Sequence, residues 1–253
     1  MLFRSSALVR FRDDILPALA PRASHLIVET WIARGDCGRD EARVTADVQA
    51  TTERPPETED AIVSLLRRAK ESGVAPHILE VTCDEYAALA NSEPSEGSEP
   101  PARSSRGGAA LPHAKGAGGG KVDYARLLDI TTRHLEVAVR QAAFLPRTPE
   151  RPLVLVYGGA LHNDLHPARA LAAYSFAPAS YRMMRGAFRE VDLYVPELVL
   201  RLPSVGKEGW FRAWRRGAAP GRVVVVPRSD HSAVVVFPRD PSGNPNGKPN
   251  GNP

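Results

Sequence analysis

A short apolar run, followed at once by two glycines and a polar cluster, constrains the fold of this chain most. Residues 153–157 read Leu-Val-Leu-Val-Tyr, which predicts a strand buried on both faces of a sheet. The next two residues, Gly158 and Gly159, permit a sharp turn and a close backbone approach. In open parallel sheets, ligands bind at the carboxyl ends of the strands. The predicted active site therefore consists of the polar residues beyond this strand: His162, Asn163, Asp164 and His166. A surface loop whose histidines have no role would give the same pattern.

The remaining apolar patterns predict an α/β fold. Strands are predicted at 25–32, 77–82 and 190–195, and helices at about 5–20 and 39–50, in the stretch that ends at Gly73, and from 122 onward. Helices that alternate with strands are typical of a mostly parallel sheet flanked by helices and built from right-handed crossovers. Two valine-rich runs, 222–227 and 232–238, surround a short loop, which predicts an antiparallel hairpin at the C-terminal edge of the sheet.

The domain limits follow from composition. Residues 91–120 are rich in Pro, Gly and Ser and cannot bury enough apolar surface to offset the entropy of ordering them. We therefore predict one α/β domain over 1–238 with a disordered insertion at 91–120. The low-complexity segment 239–253 is predicted to be a disordered tail.

The charge balance indicates no nucleic-acid partner. The 33 Lys and Arg residues exceed the 29 Asp and Glu residues by only four, and the basic clusters fall on predicted helices, where a solvated face explains them. Trp210, Phe211 and Trp214 lie among arginines, a pattern that also occurs at nucleic-acid or membrane contacts. A helix that packs its aromatic side chains inward explains it too, and we expect that arrangement.

Two further features bear on location. No apolar run approaches the roughly 20 residues needed to cross a bilayer, so we expect no membrane span. Charged residues interrupt the N-terminal apolar stretch, which is atypical of a cleavable signal peptide, and a cytoplasmic location is expected. Cys37 and Cys83 both follow predicted strands, which is compatible with their being neighbours, and a reduced pair is expected.

Glu29 lies inside the apolar run 25–32. A carboxylate without a partner is costly to bury, so Glu29 must reach the polar end of its strand or have a partner. Such a placement indicates either a functional residue or a structural ion pair.

Three segments together resemble the ChaN-like/Tiki superfamily, which includes erythromycin esterase-like proteins. They are Leu26-Ile-Val-Glu-Thr-Trp31, the strand that ends in Tyr157-Gly-Gly-Ala-Leu-His162, and Val191-Asp-Leu-Tyr-Val-Pro-Glu197. The resemblance implies a parallel-sheet α/β core with a cleft at the strand ends, in which Gly159-Ala-Leu-His162 matches a Gly-x-x-His motif and Glu29 matches an acidic residue. The family also has an earlier histidine motif, which does not occur before Glu29 here. A chain start placed too late and a degenerate copy are both compatible with that difference.

Three functions remain open from the sequence. The first is a hydrolase in which Glu29 and His162 act as general base or metal ligands, helped by Asp164 and His166. The second is a binding module for a small-molecule or peptide ligand, with Tyr157, Gly158, Gly159 and Asn163 lining the site. The resemblance implies haem as one such ligand, with Tyr157 or His162 on the iron. The third is a structural or interaction protein with a degenerate cleft.

Overall fold

A computed structural model describes residues 5–52, 57–91, 122–184, 186–196, 205–217 and 221–238. The predicted insertion, apart from Asn91, and the predicted tail lie outside these residues.

The predicted α/β class is confirmed, with two three-stranded sheets. The strands are β1 (Ala23–Ala33), β2 (Ala75–Val81), β3 (Leu153–Tyr157), β4 (Glu190–Tyr194), β5 (Val224–Ser229) and β6 (Ser232–Val236). The α-helices are α1 (Ser5–Arg10), α2 (Leu16–Leu19), α3 (Gly38–Thr52), α4 (Glu57–Glu71), α5 (Cys83–Ala90), α6 (Tyr124–Ala142), α7 (Ala160–Asn163), α8 (Ala177–Met183) and α9 (Gly209–Gly217). A π-helical segment, Phe11–Ile15, joins α1 to α2, and 3-10 turns cover Ala20–Arg22, Arg169–Tyr174 and Val205–Lys207.

Sheet A is fully parallel, with β1 between β2 and β3. Its two faces carry separate apolar clusters, because successive side chains of β1 point to opposite faces. Leu26 and Val28 pack with residues of α1, α2 and α4. On the other side, Ile27 packs with Leu135 and Val139 of α6. Helices therefore cover both faces, as the composition of its strands requires.

Sheet B has the order β4-β6-β5, with β4 and β6 parallel and β5 and β6 antiparallel. The predicted C-terminal hairpin is confirmed. Helix α9 packs its aromatic side chains inward against this sheet, as expected: Trp210, Phe211 and Trp214 are all buried. Of the helices within the described ranges, none combines the length and the apolar character needed to cross a membrane.

The prediction that Cys37 and Cys83 are reduced is wrong. The two residues are neighbours, but they form a disulfide with their Cα atoms 5.0 Å apart. Residues that are 46 positions apart in the sequence come together because Cys37 follows β1, Cys83 follows β2, and these parallel strands end at the same edge of sheet A.

Candidate functional site

The candidate site lies where β1 and β3 end at the carboxyl edge of sheet A. Strand β1 has an irregular register there: Val28 pairs with Ile78 of β2, but Trp31 pairs with the next residue, Leu79. Glu29 and Thr30 are therefore extra residues on β1, and they form a β-bulge. Bulges redirect side chains and are frequent beside active sites.

The carboxylate of Glu29 is buried, with 1% of the residue exposed. Its Oε2 atom accepts a hydrogen bond of 2.7 Å from the backbone N–H of Gly159. A hydrogen bond to a charged acceptor is stronger than one between neutral groups, which helps to offset the loss of hydration. Of the two alternatives that the sequence leaves open for Glu29, the polar end of its strand or a partner, this contact supplies a partner.

Gly158 leaves the space that the carboxylate occupies. A Cβ atom at this position would lie 2.4 Å from Glu29 Oε2 and 2.7 Å from Asn163 Nδ2. Both distances are below those of real contacts, so only glycine fits without rearrangement. The side-chain amide of Asn163 donates to the carbonyl of Gly159 at 3.0 Å and closes the short helix α7.

His162 has a fixed ring orientation. Its Nδ1 atom lies 2.8 Å from the carbonyl oxygen of Tyr174, which can only accept, so Nδ1 carries the hydrogen and donates it. The hydroxyl of Thr132 lies 3.0 Å from the same nitrogen and donates to the carbonyl of Leu128. The other ring nitrogen, Nε2, is thereby left with its lone pair.

The Nε2 atom of His162 faces Glu29. It lies 3.8 Å from Glu29 Oε1, and it has no hydrogen-bond partner among the described residues. Burial lowers the pKa of His162 to about 4, against the opposing effect of the Tyr174 carbonyl, so the imidazole is neutral at pH 7. The site therefore presents a neutral base beside a buried carboxyl group.

The four predicted catalytic residues divide between two places. Glu29 and His162 come together, whereas Asp164 lies within electrostatic reach of Glu190 and Arg228 in sheet B. The carboxylate of Asp164 accepts the backbone N–H of His166 at 2.8 Å, and the side chain of His166 is exposed. Burial and the nearby charge of Glu190 raise the pKa of Asp164, although the hydrogen bond from His166 opposes this.

Sequence reasoning missed the buried acidic cluster that Asp164 approaches. Arg228 on β5 lies 2.9 Å from Glu190 Oε2 and 2.8 Å from Asp192 Oδ2. Despite this ion pair, the pKa of Asp192 rises to about 6, because burial outweighs the pairing and because Glu190 and Asp164 repel its charge. The two-residue spacing of Glu190 and Asp192 on one strand was the available signal, since it places both on one face.

Neither a metal nor haem fits this arrangement. A protein metal site needs about three ligands, and no three His, Cys, Asp or Glu side chains within the described ranges are grouped to supply them. For haem, the predicted iron ligands are His162 and Tyr157. His162 is 0% exposed and faces Glu29, and the ring of Tyr157 packs on Phe11 with centroids 4.6 Å apart. Neither side chain leaves space for a macrocycle.

The residues predicted to line a ligand site thus have packing or backbone roles here. Gly158 makes room for Glu29, Gly159 binds it, Asn163 closes α7 and Tyr157 packs on Phe11. Comparisons with known protein families, with curated proteins and with solved structures found no match to this chain.

Proposed function

We propose that the chain is a hydrolase in which His162 is the general base and Glu29 stabilises its protonated form. The observation that carries the proposal is the orientation of His162, whose Nδ1–H is held by the carbonyl of Tyr174 while Nε2 faces Glu29 Oε1 at 3.8 Å. A base oriented through its other nitrogen is the arrangement that general base catalysis needs. The resemblance to the ChaN-like/Tiki superfamily, which rests on sequence motifs, supports the same reaction class.

The geometry suits the activation of water. A water molecule that donates a hydrogen bond to Nε2 of His162 would also lie near Glu29 Oε1, because these two atoms are 3.8 Å apart. In the proposed step, Nε2 removes a proton from that water as its oxygen attacks an ester or amide carbonyl. The resulting imidazolium then lies beside the carboxylate of Glu29.

Substrate access requires a movement of the segment 160–176. His162 is fully enclosed and Glu29 nearly so, and this segment supplies both His162 and the Tyr174 carbonyl that orients it. Its 3-10 turn, Arg169–Tyr174, has no buried residue, whereas Leu165 and Phe176 on either side are buried, so the turn is the part that is displaced most easily. The proposed ligand is a small ester or a peptide that enters beneath this segment.

Hydrolysis of p-nitrophenyl acetate by the full chain tests the proposal. We expect turnover that falls at least about 100-fold in His162→Ala and in Glu29→Gln, the range typical of a lost general base. His134→Gln is the matched control, because His134 also faces a carboxylate, Glu85, at 3.0 Å but lies outside the site. Wild-type turnover no faster than buffer, or an active His162→Ala variant, would refute the proposal.

A second candidate, a non-catalytic binding or interaction module, is favoured by one observation: the Glu29–His162 pair is enclosed. On that hypothesis the pair only stabilises the junction of β1 and β3. His162→Ala would then lower the thermal unfolding midpoint, while wild-type protein would show no hydrolysis to lose.

A further inference from the structure

The Cys37–Cys83 disulfide joins the carboxyl ends of two adjacent parallel strands. Cys37 lies four residues beyond the end of β1, and Cys83 lies two residues beyond the end of β2. Between the strands and the disulfide, the N–H of Arg34 donates to the carbonyl of Val81 at 2.8 Å. The disulfide thus closes the same edge of sheet A at which Glu29 lies.

The part of β1 beyond the bulge depends on this closure. The described pairing of β1 with β3 ends at Val28 and Tyr157, whereas pairing with β2 continues through Trp31 to Ala33. In this outer part Ile32 is 49% exposed, whereas Trp31 and Ala33 pack against the apolar cluster of α3, α5 and α6. Three features hold the outer part of β1: its pairing with β2, this packing, and the disulfide, which is its covalent restraint.

The disulfide is also accessible to a reductant. Cys37 is partly exposed in a turn whose neighbours Asp36 and Gly38 are exposed. Cys83 is partly exposed as well and is the first residue of α5. Cys37 directly precedes α3, so backbone N–H groups at a helix start stabilise a thiolate at either sulfur. Because both neighbours of Cys37 are exposed, Cys37 is the more accessible sulfur for attack.

We propose that Cys37–Cys83 is a reversible redox site, reduced by a dithiol, that controls how firmly the Glu29 bulge is held against Gly159 and His162. A thiolate of the dithiol attacks Cys37 Sγ, the S–S bond breaks, and its electron pair goes to Cys83 as a thiolate. The second thiol then attacks the mixed disulfide, releases Cys37 and leaves as part of an oxidised dithiol. Two electrons and two protons pass to the protein.

Reduction should act locally. Helix α3 keeps its apolar contacts with α5, where Val44 and Val48 pack with Tyr86 and Leu89. What loses its covalent restraint is the outer part of β1 and the turn that follows it. The Glu29–Gly159 hydrogen bond lies at the inner end of this segment and should open more often.

Hydrogen exchange of the full chain, with and without dithiothreitol, tests the proposal without using enzymatic activity. Thiol titration should find no free thiols before reduction and two afterwards. Exchange at the N–H of Gly159 and over 31–38 should accelerate about tenfold on reduction, while α6 stays protected and reoxidation restores the original rates. The double variant Cys37→Ser/Cys83→Ser should exchange at the fast rate in both conditions.

Three results would overturn the proposal: free thiols in the untreated protein, an unchanged exchange rate at Gly159 after reduction, or loss of protection throughout α6. The last would identify the disulfide as a staple for the whole fold. Because hydrolysis is not measured, failure here leaves the proposed hydrolase function standing, and the converse holds as well.

Discussion

Replacement of Gly158 by alanine tests whether the carboxylate of Glu29 is held where the structure places it. The new methyl group would lie 2.4 Å from Glu29 Oε2, so the carboxylate must move. Overpacking of this kind costs about 1–3 kcal/mol. The displaced carboxylate also loses the 2.7 Å hydrogen bond from Gly159, and a hydrogen bond to a charged group contributes about 1.5–3 kcal/mol.

These effects are partly offset, because alanine reduces the entropy of the unfolded chain by about 0.4–1 kcal/mol. We therefore expect Gly158→Ala to lower the free energy of unfolding by about 3 kcal/mol in urea denaturation. Gly206→Ala is the matched control, since a Cβ atom there meets nothing within 4 Å. That variant should be neutral or slightly more stable.

A double-mutant cycle identifies the cause. In a Glu29→Ala background the closest obstacle is gone, so Gly158→Ala should cost at least about 1 kcal/mol less than it does in the wild-type background. An equal cost in both backgrounds would show that Glu29 does not occupy this space. A cost no greater than that of Gly206→Ala would refute the packing argument itself.

Three further variants test the energetics elsewhere in the fold, each by urea denaturation. The pKa of Asp192 rises from 3.8 to about 6, worth about 3 kcal/mol at 1.36 kcal/mol per pH unit. Protonation of Asp192 therefore stabilises the folded state below pH 4, and this stabilisation is lost as the pH rises through 6. Because Asp192→Asn does not titrate, its free energy of unfolding should rise relative to that of the wild type by up to about 3 kcal/mol between pH 4 and 6.5. A difference between the two proteins that does not change with pH would contradict this. Thr82→Ala removes the capping box of α5 and should cost about 1 kcal/mol, whereas no loss would mean that water caps the helix equally well. Leu135 is 0% exposed, so Leu135→Ala should cost about 2–5 kcal/mol. Val137 on the same helix is 48% exposed, so Val137→Ala should change stability by less than about 0.5 kcal/mol. Similar costs for the two variants would contradict the assignment of the buried face of α6.

Much of the fold could be predicted from local pattern. The strand over 153–157 is predicted with its observed limits, because it is an unbroken apolar run that two glycines end. The long amphipathic pattern from 122 onward gave α6, and the two valine runs around a short loop gave the C-terminal hairpin. In each case the signal lies within the segment, so no knowledge of its partners is needed.

Features that depend on long-range pairing could not be predicted. The division into two sheets depends on which strands pair, and the sequence was interpreted as one mostly parallel sheet. The disulfide depends on two strands ending side by side. Asp164 lies only two residues after His162 in the sequence, yet it lies within electrostatic reach of Arg228 in sheet B, because α7 ends at Asn163 and Asp164 has an extended backbone.

The bulge in β1 is the point at which fold and candidate site depend on each other. In a regular strand, β1 would continue its hydrogen-bonded pairing with β2, and the alternation of side chains between the two faces of the sheet would fix the direction of residue 29. The extra residues at Glu29 and Thr30 release that constraint, and the space beside Gly158 accepts the carboxylate. Burial of Glu29 is thus made tolerable by three local conditions together: the bulge, the missing side chain at Gly158 and the N–H of Gly159. An apolar residue here would stabilise the strand at lower cost, whereas the proposed hydrolase function requires a carboxylate that faces His162.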